Sequence, residues 1–289
     1  MRWARFIGVI SLWSFFFAIV VLVRPWVSLF NVQLGWRILS RLAQSLSSLL
    51  IFLLQVKIVL EGDTRPMGSR GQVVVSNHLG YLDGLILGSL FPSIFVSKNA
   101  VRKWPLIGQW LVLIGAVFVD RKKRERILQV IGEITQKLRR GTNVLLFPEG
   151  TSTNGDRLLP FQPAFFAAPL IACADVVPVT LTYQKLDGRP LTNANRDRLY
   201  WYGDMDFGPH FLKLLGARKI EVRVRIHSKI ETRHLPNDSK SRKELSRTCH
   251  AIISGDSSPD NRSVQPESSS YPEEHRRIME VGKSRRSGL

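Results

Sequence analysis

A buried strand that passes directly into a helix is the feature that most restricts the fold. Residues 73–75 are three valines, and such a β-branched run predicts a short buried strand. Ser76 and Asn77 are turn and cap residue types, so the strand should end there. The apolar run 84–90 then predicts a helix. This order indicates an α/β fold and places His78 at an open sheet edge, where ligands tend to bind.

His78 and Asp83 are separated by four residues. The intervening turn can bring the carboxylate to one imidazole nitrogen, which leaves the other nitrogen to accept a proton. The pair then forms a general base and its orienting group. The alternative is a capping asparagine beside a buried histidine that only satisfies a backbone group, and this stretch alone does not decide between them.

Three further blocks follow in the chain. The segment 115–121, Gly-Ala-Val-Phe-Val-Asp-Arg, predicts a strand that ends at an arginine. The segment 147–151, Phe-Pro-Glu-Gly-Thr, follows the apolar strand 144–147. Residues 176–182 and 220–226 predict two more strands, and Ile127 to Leu138 repeat at helical spacing.

These blocks, with Asn77-His78 and Asp83, resemble the glycerolipid acyltransferase family over roughly residues 55–229. The resemblance implies a mixed α/β sheet flanked by helices, with His78 as the base and Asp83 as its partner. Arg121 suits phosphate because its planar fork binds two oxygens, although a solvated run Arg121 to Arg124 is the plainer reading. We expect substrate contacts from Lys98, Gly115, Phe118, Arg121, Glu149, Gly150, Thr151 and Ser152.

The acceptor headgroup is where the sequence departs from the family. Many members specific for 1-acyl-sn-glycerol-3-phosphate carry arginine after the threonine of the third block, whereas this chain has Ser152. Acyltransferases of ornithine-lipid synthesis look similar in this block and in the segment 201–205. The expected reaction moves an acyl group from acyl-coenzyme A or acyl carrier protein to a lysolipid, first 1-acyl-sn-glycerol-3-phosphate, alternatively a lyso-ornithine lipid or another lysophospholipid.

The amino-terminal segment predicts a membrane anchor. Phe6 to Val23 is eighteen residues without a charge, about 27 Å as a helix against a hydrocarbon core of ~30 Å. A signal peptide has a shorter apolar run and a small-residue cleavage site, and Val23-Arg24-Pro25-Trp26 is a poor one. The second apolar stretch, 36–56, contains Arg37 and Arg41, which favours an interfacial helix over a second span.

Charge and cysteine content limit the partners. The net charge is +18, which suits anionic membrane surfaces and acidic ligands such as coenzyme A or acyl carrier protein. There is no zinc-finger spacing and no aromatic-rich basic strand pair, so no nucleic acid partner is expected. Cys173 and Cys249 form no close-spaced motif, which fits free thiols in a reducing compartment.

The expected organisation is a membrane anchor and interfacial helix at 1–60, a catalytic domain at 61–253 on the cytoplasmic face, and a disordered tail at 254–289. No metal and no cofactor are expected, because a thioester is already activated. A serine hydrolase is disfavoured because no Gly-x-Ser-x-Gly pentapeptide is present. A non-catalytic lipid-binding membrane protein would explain the charge and the anchor, but not His78 and Asp83.

Overall fold

The computed structural model describes residues 2–30, 32–63, 71–104, 107–120 and 124–256, without the side chains of 27–30, 32, 33, 124 and 125. The helices are α1 Arg2–Phe30, α2 Val32–Leu53, α3 Tyr81–Leu90, α4 Ile107–Leu113, α5 Arg124–Arg139, α6 Ala167–Ala172, α7 Phe207–Leu214 and α8 Ser239–Asp256. The strands are β1 Val56–Gly62, β2 Val73–Ser76, β3 Ser93–Lys98, β4 Val117–Val119, β5 Asn143–Leu146, β6 Val176–Leu186, β7 Arg189–Pro190 and β8 Ile220–Ile226.

The strands form one mixed sheet in the order β1-β8-β6-β2-β5-β3-β4, and β7 pairs with the end of β6. The run β6-β2-β5-β3-β4 is parallel throughout, as is the pair β1 and β8. The antiparallel pairing of β6 with β8 joins these two groups. The carboxyl ends of four adjacent parallel strands, β2, β5, β3 and β4, therefore meet at one edge of the sheet.

Alternation of side chains along the strands builds a core on each face of the sheet. Val74 packs with α3 and α7 on one face, whereas Val73 and Val75 pack with α5, α6 and α8 on the other. Both faces of these central strands are covered by helices, so the valine run of β2 is fully buried. The predicted α/β fold, a mixed sheet flanked by helices, is confirmed.

Helices α1 and α2 pack against each other beside the sheet. Phe16 and Val20 of α1 are buried against Leu39, Ala43 and Leu46 of α2, and α2 in turn packs on α3. By length and composition, Arg2–Trp26 is apolar enough to cross a bilayer. Its outer side exposes apolar side chains at helical spacing, namely Trp3, Ile7, Phe15, Leu22 and Trp26.

Three boundaries differ from those that the sequence predicts. Helix α3 begins at Tyr81 rather than 84, because the Asp83 carboxylate accepts the N–H of Gly80 and caps the first turn. Helix α2 begins at Val32, ahead of the predicted 36. The final helix extends to Asp256, three residues into the segment predicted as a disordered tail, and 257–289 lie outside the described residues. The division into three regions stays a prediction.

Candidate active site

Three of the predicted site segments lie at the carboxyl edge of the parallel strands. His78 follows β2, Glu149 follows β5, and Lys98 is the last residue of β3. Because β5 lies between β2 and β3, the loop after β5 stands between His78 and Lys98. Arg121 follows β4 in the sequence, but it lies outside the described residues. Its phosphate contact stays a prediction.

The imidazole of His78 is oriented by Asp83. The Nδ1 atom lies 2.9 Å from Oδ2 of Asp83, and the carboxylate is fully buried while the ring is 22% exposed. The carboxylate accepts a hydrogen bond, so Nδ1 carries the proton and Nε2 keeps its lone pair. The arrangement is that of a general base whose free nitrogen is left for a substrate proton.

The Asp83 carboxylate is held by four donors. Oδ2 also accepts the N–H groups of Leu79 at 2.5 Å and Gly80 at 2.8 Å, and Oδ1 accepts the Tyr183 hydroxyl at 2.7 Å. A buried carboxylate needs such partners, because an unpaired one would be strongly destabilising. The site therefore fixes the position of the Asp83 carboxylate and gives a partner to each of its oxygens.

Glu149, which follows the neighbouring strand β5, positions the turn 77–80 that carries His78, here called the catalytic loop. Its Oε1 accepts the N–H of His78 at 2.8 Å, and its Oε2 accepts the N–H of Leu159 at 2.9 Å. The residue is 3% exposed, and burial raises its pKa to about 8 against the lowering effect of these hydrogen bonds. Its carboxyl group thus points into the protein, and its predicted role in substrate binding stays a prediction.

Two further contacts align the His78 ring and backbone. The ring stacks on Phe147 with centroids 4.0 Å apart and planes inclined by 15°. Thr153 donates its N–H to the His78 carbonyl at 2.9 Å. Asn77 pins the end of β2 to β6, since its side chain both accepts the N–H and donates to the carbonyl of Leu181, at 2.8 and 3.0 Å. The base is therefore fixed on two sides.

The polar side of the site is formed by Lys98 and the turn after β5. The ammonium of Lys98 donates to the Thr151 hydroxyl at 3.3 Å. Gly150 adopts a φ of 73°, a left-handed conformation that favours glycine, and so turns the chain toward Thr151 and Ser152. Both hydroxyl residues are partly exposed. This cation and these hydroxyls can bind an oxyanion beside the base.

Gly115 lies just before β4, and Phe118 lies on it. Gly115 stands at the amino side of β4, away from the carboxyl edge, with a φ of 78°, and a Cβ there would come within 1.9 Å of the Trp36 ring. Phe118 is half-buried and lies beneath the guanidinium of Arg102, 5.7 Å from the ring centroid. Gly115 thus serves packing against α2, and substrate contacts by either residue stay predictions.

An aromatic cluster packs against the catalytic loop. The backbone N–H of Trp201 donates to the Leu79 carbonyl at 2.9 Å. A Cβ on Gly80 would approach the same backbone nitrogen to 2.9 Å. The Tyr81 hydroxyl lies 2.9 Å from Nδ1 of His210, and the pKa of Tyr81 is raised by burial. Trp104 meets Trp201 edge to face with centroids 5.4 Å apart.

Three positioning roles were not predicted from the sequence: the hydrogen bond of Tyr183 to Asp83, the stacking of Phe147 on His78, and the link from Asn77 to β6. Tyr183 was detectable, because Val179, Leu181 and Tyr183 continue the inward alternation of β6 beyond the predicted strand end at 182. The bond between Asn77 and Leu181 spans 104 residues of sequence and had no local signal. Backbone N–H groups 78–80 all donate to carboxylates, so these three groups are already occupied and do not bind a substrate oxyanion.

Comparison with known proteins matches the same blocks. The family model described as Acyltransferase matches residues 57–182, which include His78, Asp83 and Glu149. The chain is 36% identical over 195 residues to a lyso-ornithine lipid O-acyltransferase from Rhodobacter capsulatus, covering 65% of this chain and 66% of that protein. It is 32% identical over 199 residues to one from Pseudomonas aeruginosa, covering 69% and 70%.

Two other similar proteins bear the name of a different acceptor. A 1-acyl-sn-glycerol-3-phosphate acyltransferase from Neisseria meningitidis is 29% identical over 163 residues, 56% of this chain and 62% of that protein. The crystal structure of the 1-acyl-sn-glycerophosphate (LPA) acyltransferase, PlsC, from Thermotoga maritima superposes with a TM-score of 0.60 at 17% identity, covering 92% of this chain and all of that one. The chain spans about two thirds of the length of the curated relatives it matches.

Proposed function

Because this chain belongs to the acyltransferase family, we propose that it moves a fatty acyl group from an acyl thioester to the free hydroxyl of a lysolipid. The observation that carries the proposal is the buried Asp83 carboxylate 2.9 Å from Nδ1 of His78, at a sheet edge beside Lys98 and Thr151. A thioester needs no enzyme nucleophile, so the site has to supply a base and a place for the acceptor.

In the proposed reaction, Nε2 of His78 takes the proton from the acceptor hydroxyl as its oxygen attacks the thioester carbonyl. Asp83 stabilises the imidazolium that forms, through the hydrogen bond to Nδ1. The C–S bond breaks as the new C–O ester bond forms, and the thiolate leaves with the proton that His78 returns. General base catalysis of this kind contributes roughly 10²–10⁴-fold.

The acceptor predicted first from the sequence is 1-acyl-sn-glycerol-3-phosphate, which would give phosphatidic acid. Its phosphomonoester would lie against the Lys98 ammonium and the hydroxyls of Thr151 and Ser152. Arg121 would add a second cation from the end of β4. The donor is acyl-coenzyme A or acyl carrier protein, and the basic body would receive either from the cytoplasmic side while the lysolipid stays in the leaflet.

A second candidate acceptor is a lyso-ornithine lipid. The observation that favours it is Ser152, which offers a neutral hydroxyl where a phosphomonoester acceptor is commonly met by arginine. The sequence similarity to enzymes named for that acceptor, 36% and 32% identity, supports the same choice. Its headgroup carries a carboxylate, which Lys98 and Thr151 would bind, and an ammonium.

The experiment compares acceptors directly. Purified full-length protein in mixed micelles is given acyl-coenzyme A or acyl carrier protein with a panel of lysolipids, and the specificity constant is measured for each pair. Acylation of a lysolipid by wild type, but not by a His78→Ala variant, supports the proposal. Absence of acylated product with every pair, from folded and membrane-associated protein, would overturn it. A higher specificity constant for lyso-ornithine lipid would replace the first acceptor with the second.

A further inference from the structure

A buried lysine on α5 contacts a tryptophan on α2. Lys137 lies in the last turn of α5, and its ammonium sits 3.5 Å from the centroid of the Trp36 ring in α2. The residue is only 8% exposed. A cation over an indole face is attracted by the ring quadrupole, but the ring offers no oxygen to accept its three N–H groups.

Within the part of the chain that the structure describes, Glu133 is the one anion whose charge acts on this ammonium, and it does not contact it. Among the described residues, Lys137 forms no hydrogen bond and no ion pair. Burial lowers its pKa to about 8; Glu133 opposes this shift, while Arg140 and Arg24 add to it. Most of the lysine is therefore still charged at neutral pH, among two further cations and one anion. The charges that act on the ammonium are therefore mainly positive, and an anion bound beside it would be stabilised.

The position of this cluster identifies the kind of anion. Arg24 stands near the end of Arg2–Trp26, the segment long and apolar enough to cross a bilayer. Trp36 packs against Gly115, where even a Cβ would clash with its ring, so the indole is held in one place. A rigid tryptophan with cations at the end of an apolar helix matches the headgroup level of a membrane.

We propose that Trp36, Lys137 and Arg140, with the charge of Arg24, form a binding site for the phosphate of an anionic phospholipid. The phosphate oxygens would accept the N–H groups of Lys137 and Arg140, and the glycerol backbone would lie along Trp36. This site is separate from His78, because Lys137 and Trp36 lie beside Thr142 and Gly115, which precede β5 and β4, whereas His78 follows the carboxyl end of β2. The proposal does not depend on which acceptor the enzyme acylates.

The test measures lipid binding to full-length protein in an uncharged detergent. Phosphatidylglycerol is titrated and bound lipid is counted by native mass spectrometry, for wild type, Lys137→Met, Lys137→Arg and the control Lys243→Met. Lys243 is an exposed lysine on α8, so its replacement removes the same charge elsewhere. We expect about tenfold weaker binding for Lys137→Met, from loss of a charge-assisted hydrogen bond, and little change for the other two. Equal binding by Lys137→Met and Lys243→Met would overturn the proposal.

A thermal melt separates a lipid site from a purely structural lysine. With phosphatidylcholine alone, Lys137→Met should melt no lower than wild type, because it removes a buried cation that the charges of Arg140 and Arg24 repel. With added phosphatidylglycerol, wild type should gain stability and the variant should not, because only a ligand of the native state stabilises it. A variant that melts lower under both conditions, with lipid binding intact, would mean that Lys137 only caps α5. Equal stabilisation of wild type by inorganic phosphate would assign the site to free phosphate and overturn the lipid.

Discussion

The Tyr183 hydroxyl donates a 2.7 Å hydrogen bond to Oδ1 of Asp83, the carboxylate whose other oxygen lies 2.9 Å from Nδ1 of His78. Tyr183 is fully buried in the second half of β6, and its pKa is raised well above the usual range by burial and by the Asp83 charge. It therefore remains a hydrogen-bond donor at any pH at which the enzyme is folded. Tyr183 orients the carboxylate that orients the base, and it does not itself face the substrate.

A Tyr183→Phe variant tests this positioning role. Loss of the hydroxyl leaves a buried carboxylate oxygen without its donor, at a cost of roughly 1–3 kcal/mol in the free energy of unfolding. We expect kcat to fall about tenfold with the acceptor KM little changed, because substrate contacts are untouched. A Tyr200→Phe variant is the matched control, since Tyr200 packs against Tyr183 with ring centroids 5.6 Å apart. Equal kcat in both variants would remove Tyr183 from the catalytic network.

His78→Ala should abolish acyl transfer while folding and membrane association are retained. The ring is 22% exposed and stacks on one side only, so its loss leaves the core intact. Asp83→Asn should also be severely impaired, because it removes the charge that stabilises the imidazolium. Product formation is measured with circular dichroism as the control for folding. Near-normal turnover by folded His78→Ala protein would exclude His78 as the base.

The sequence predicted the base and its partner because both lie in one short turn. Six consecutive residues carry the dyad, so a strand, a cap and a helix are enough to bring the side chains together. Tyr183 lies 100 residues from Asp83 and reaches it only because β6 pairs with β2. Strand order is a property of the whole sheet, and no local pattern encodes it. The local half of the site was therefore predictable and the long-range half was not.

Glu149 gives a pH dependence of stability with a defined sign. Its pKa is raised from 4.5 to about 8, so between these values the folded chain holds a proton that the unfolded chain has lost. Stability should then fall as pH rises from about 4.5 to 8. Glu149→Gln has no titrating group at this position, so this pH dependence of stability is absent. The variant also loses one hydrogen bond to a backbone N–H, which lowers its stability equally at every pH. The difference in melting temperature, wild type minus variant, should decrease from pH 5 to 8.

An Ala replacement distinguishes positioning from charge at the same site. Glu149→Ala loses both carboxyl oxygens that accept the backbone N–H groups of His78 and Leu159, and should reduce kcat more than Glu149→Gln. If Glu149 instead contacts the headgroup, both variants should raise the acceptor KM at unchanged kcat. A melting-temperature difference that is flat across this pH range would contradict the raised pKa of Glu149.

Ser152→Arg tests how the polar side of the site recognises the acceptor. A charge-assisted hydrogen bond contributes ~1.5–3 kcal/mol against ~0.5–1.5 for a neutral one, so the acceptor KM should change about tenfold. If the natural acceptor is 1-acyl-sn-glycerol-3-phosphate, the variant should keep or improve its use. If it is a lyso-ornithine lipid, preference should shift toward the phosphate acceptor. An unchanged ratio of specificity constants would mean that Ser152 does not contact the headgroup.

The outer side of α1 should determine membrane attachment. Phe15 and Leu22 are 61% and 70% exposed, so Phe15→Asp with Leu22→Asp should reduce the membrane-bound fraction without disturbing the core. Leu128→Asp is the control, because Leu128 is 73% exposed on α5. Deletion of residues 1–24 is a less specific test, since it also uncovers the apolar side of α2 that Phe16 and Val20 cover. Full retention of the double variant in the membrane fraction would contradict this attachment.

Gly115 shows that residues of one sequence block can have different neighbours in the fold. The family resemblance implies substrate contacts from Gly115, Phe118 and Arg121, which belong to one block. Gly115 stands just before β4 and packs on Trp36, whereas Phe118, in the middle of β4, lies under Arg102. Successive residues of a strand point to opposite faces, so a few residues are enough to give them different neighbours. The substrate contacts of this block stay predictions.

The same oxygen of Asp83 caps α3 and orients His78, so the first turn of this helix and the aligned base form together. A nascent chain in which this turn has not yet closed carries an ordinary histidine without its orienting carboxylate. In such a chain nothing holds the Nε2 lone pair in one direction, so the histidine is not an aligned base. Chemical competence is thereby restricted to molecules that have completed their fold.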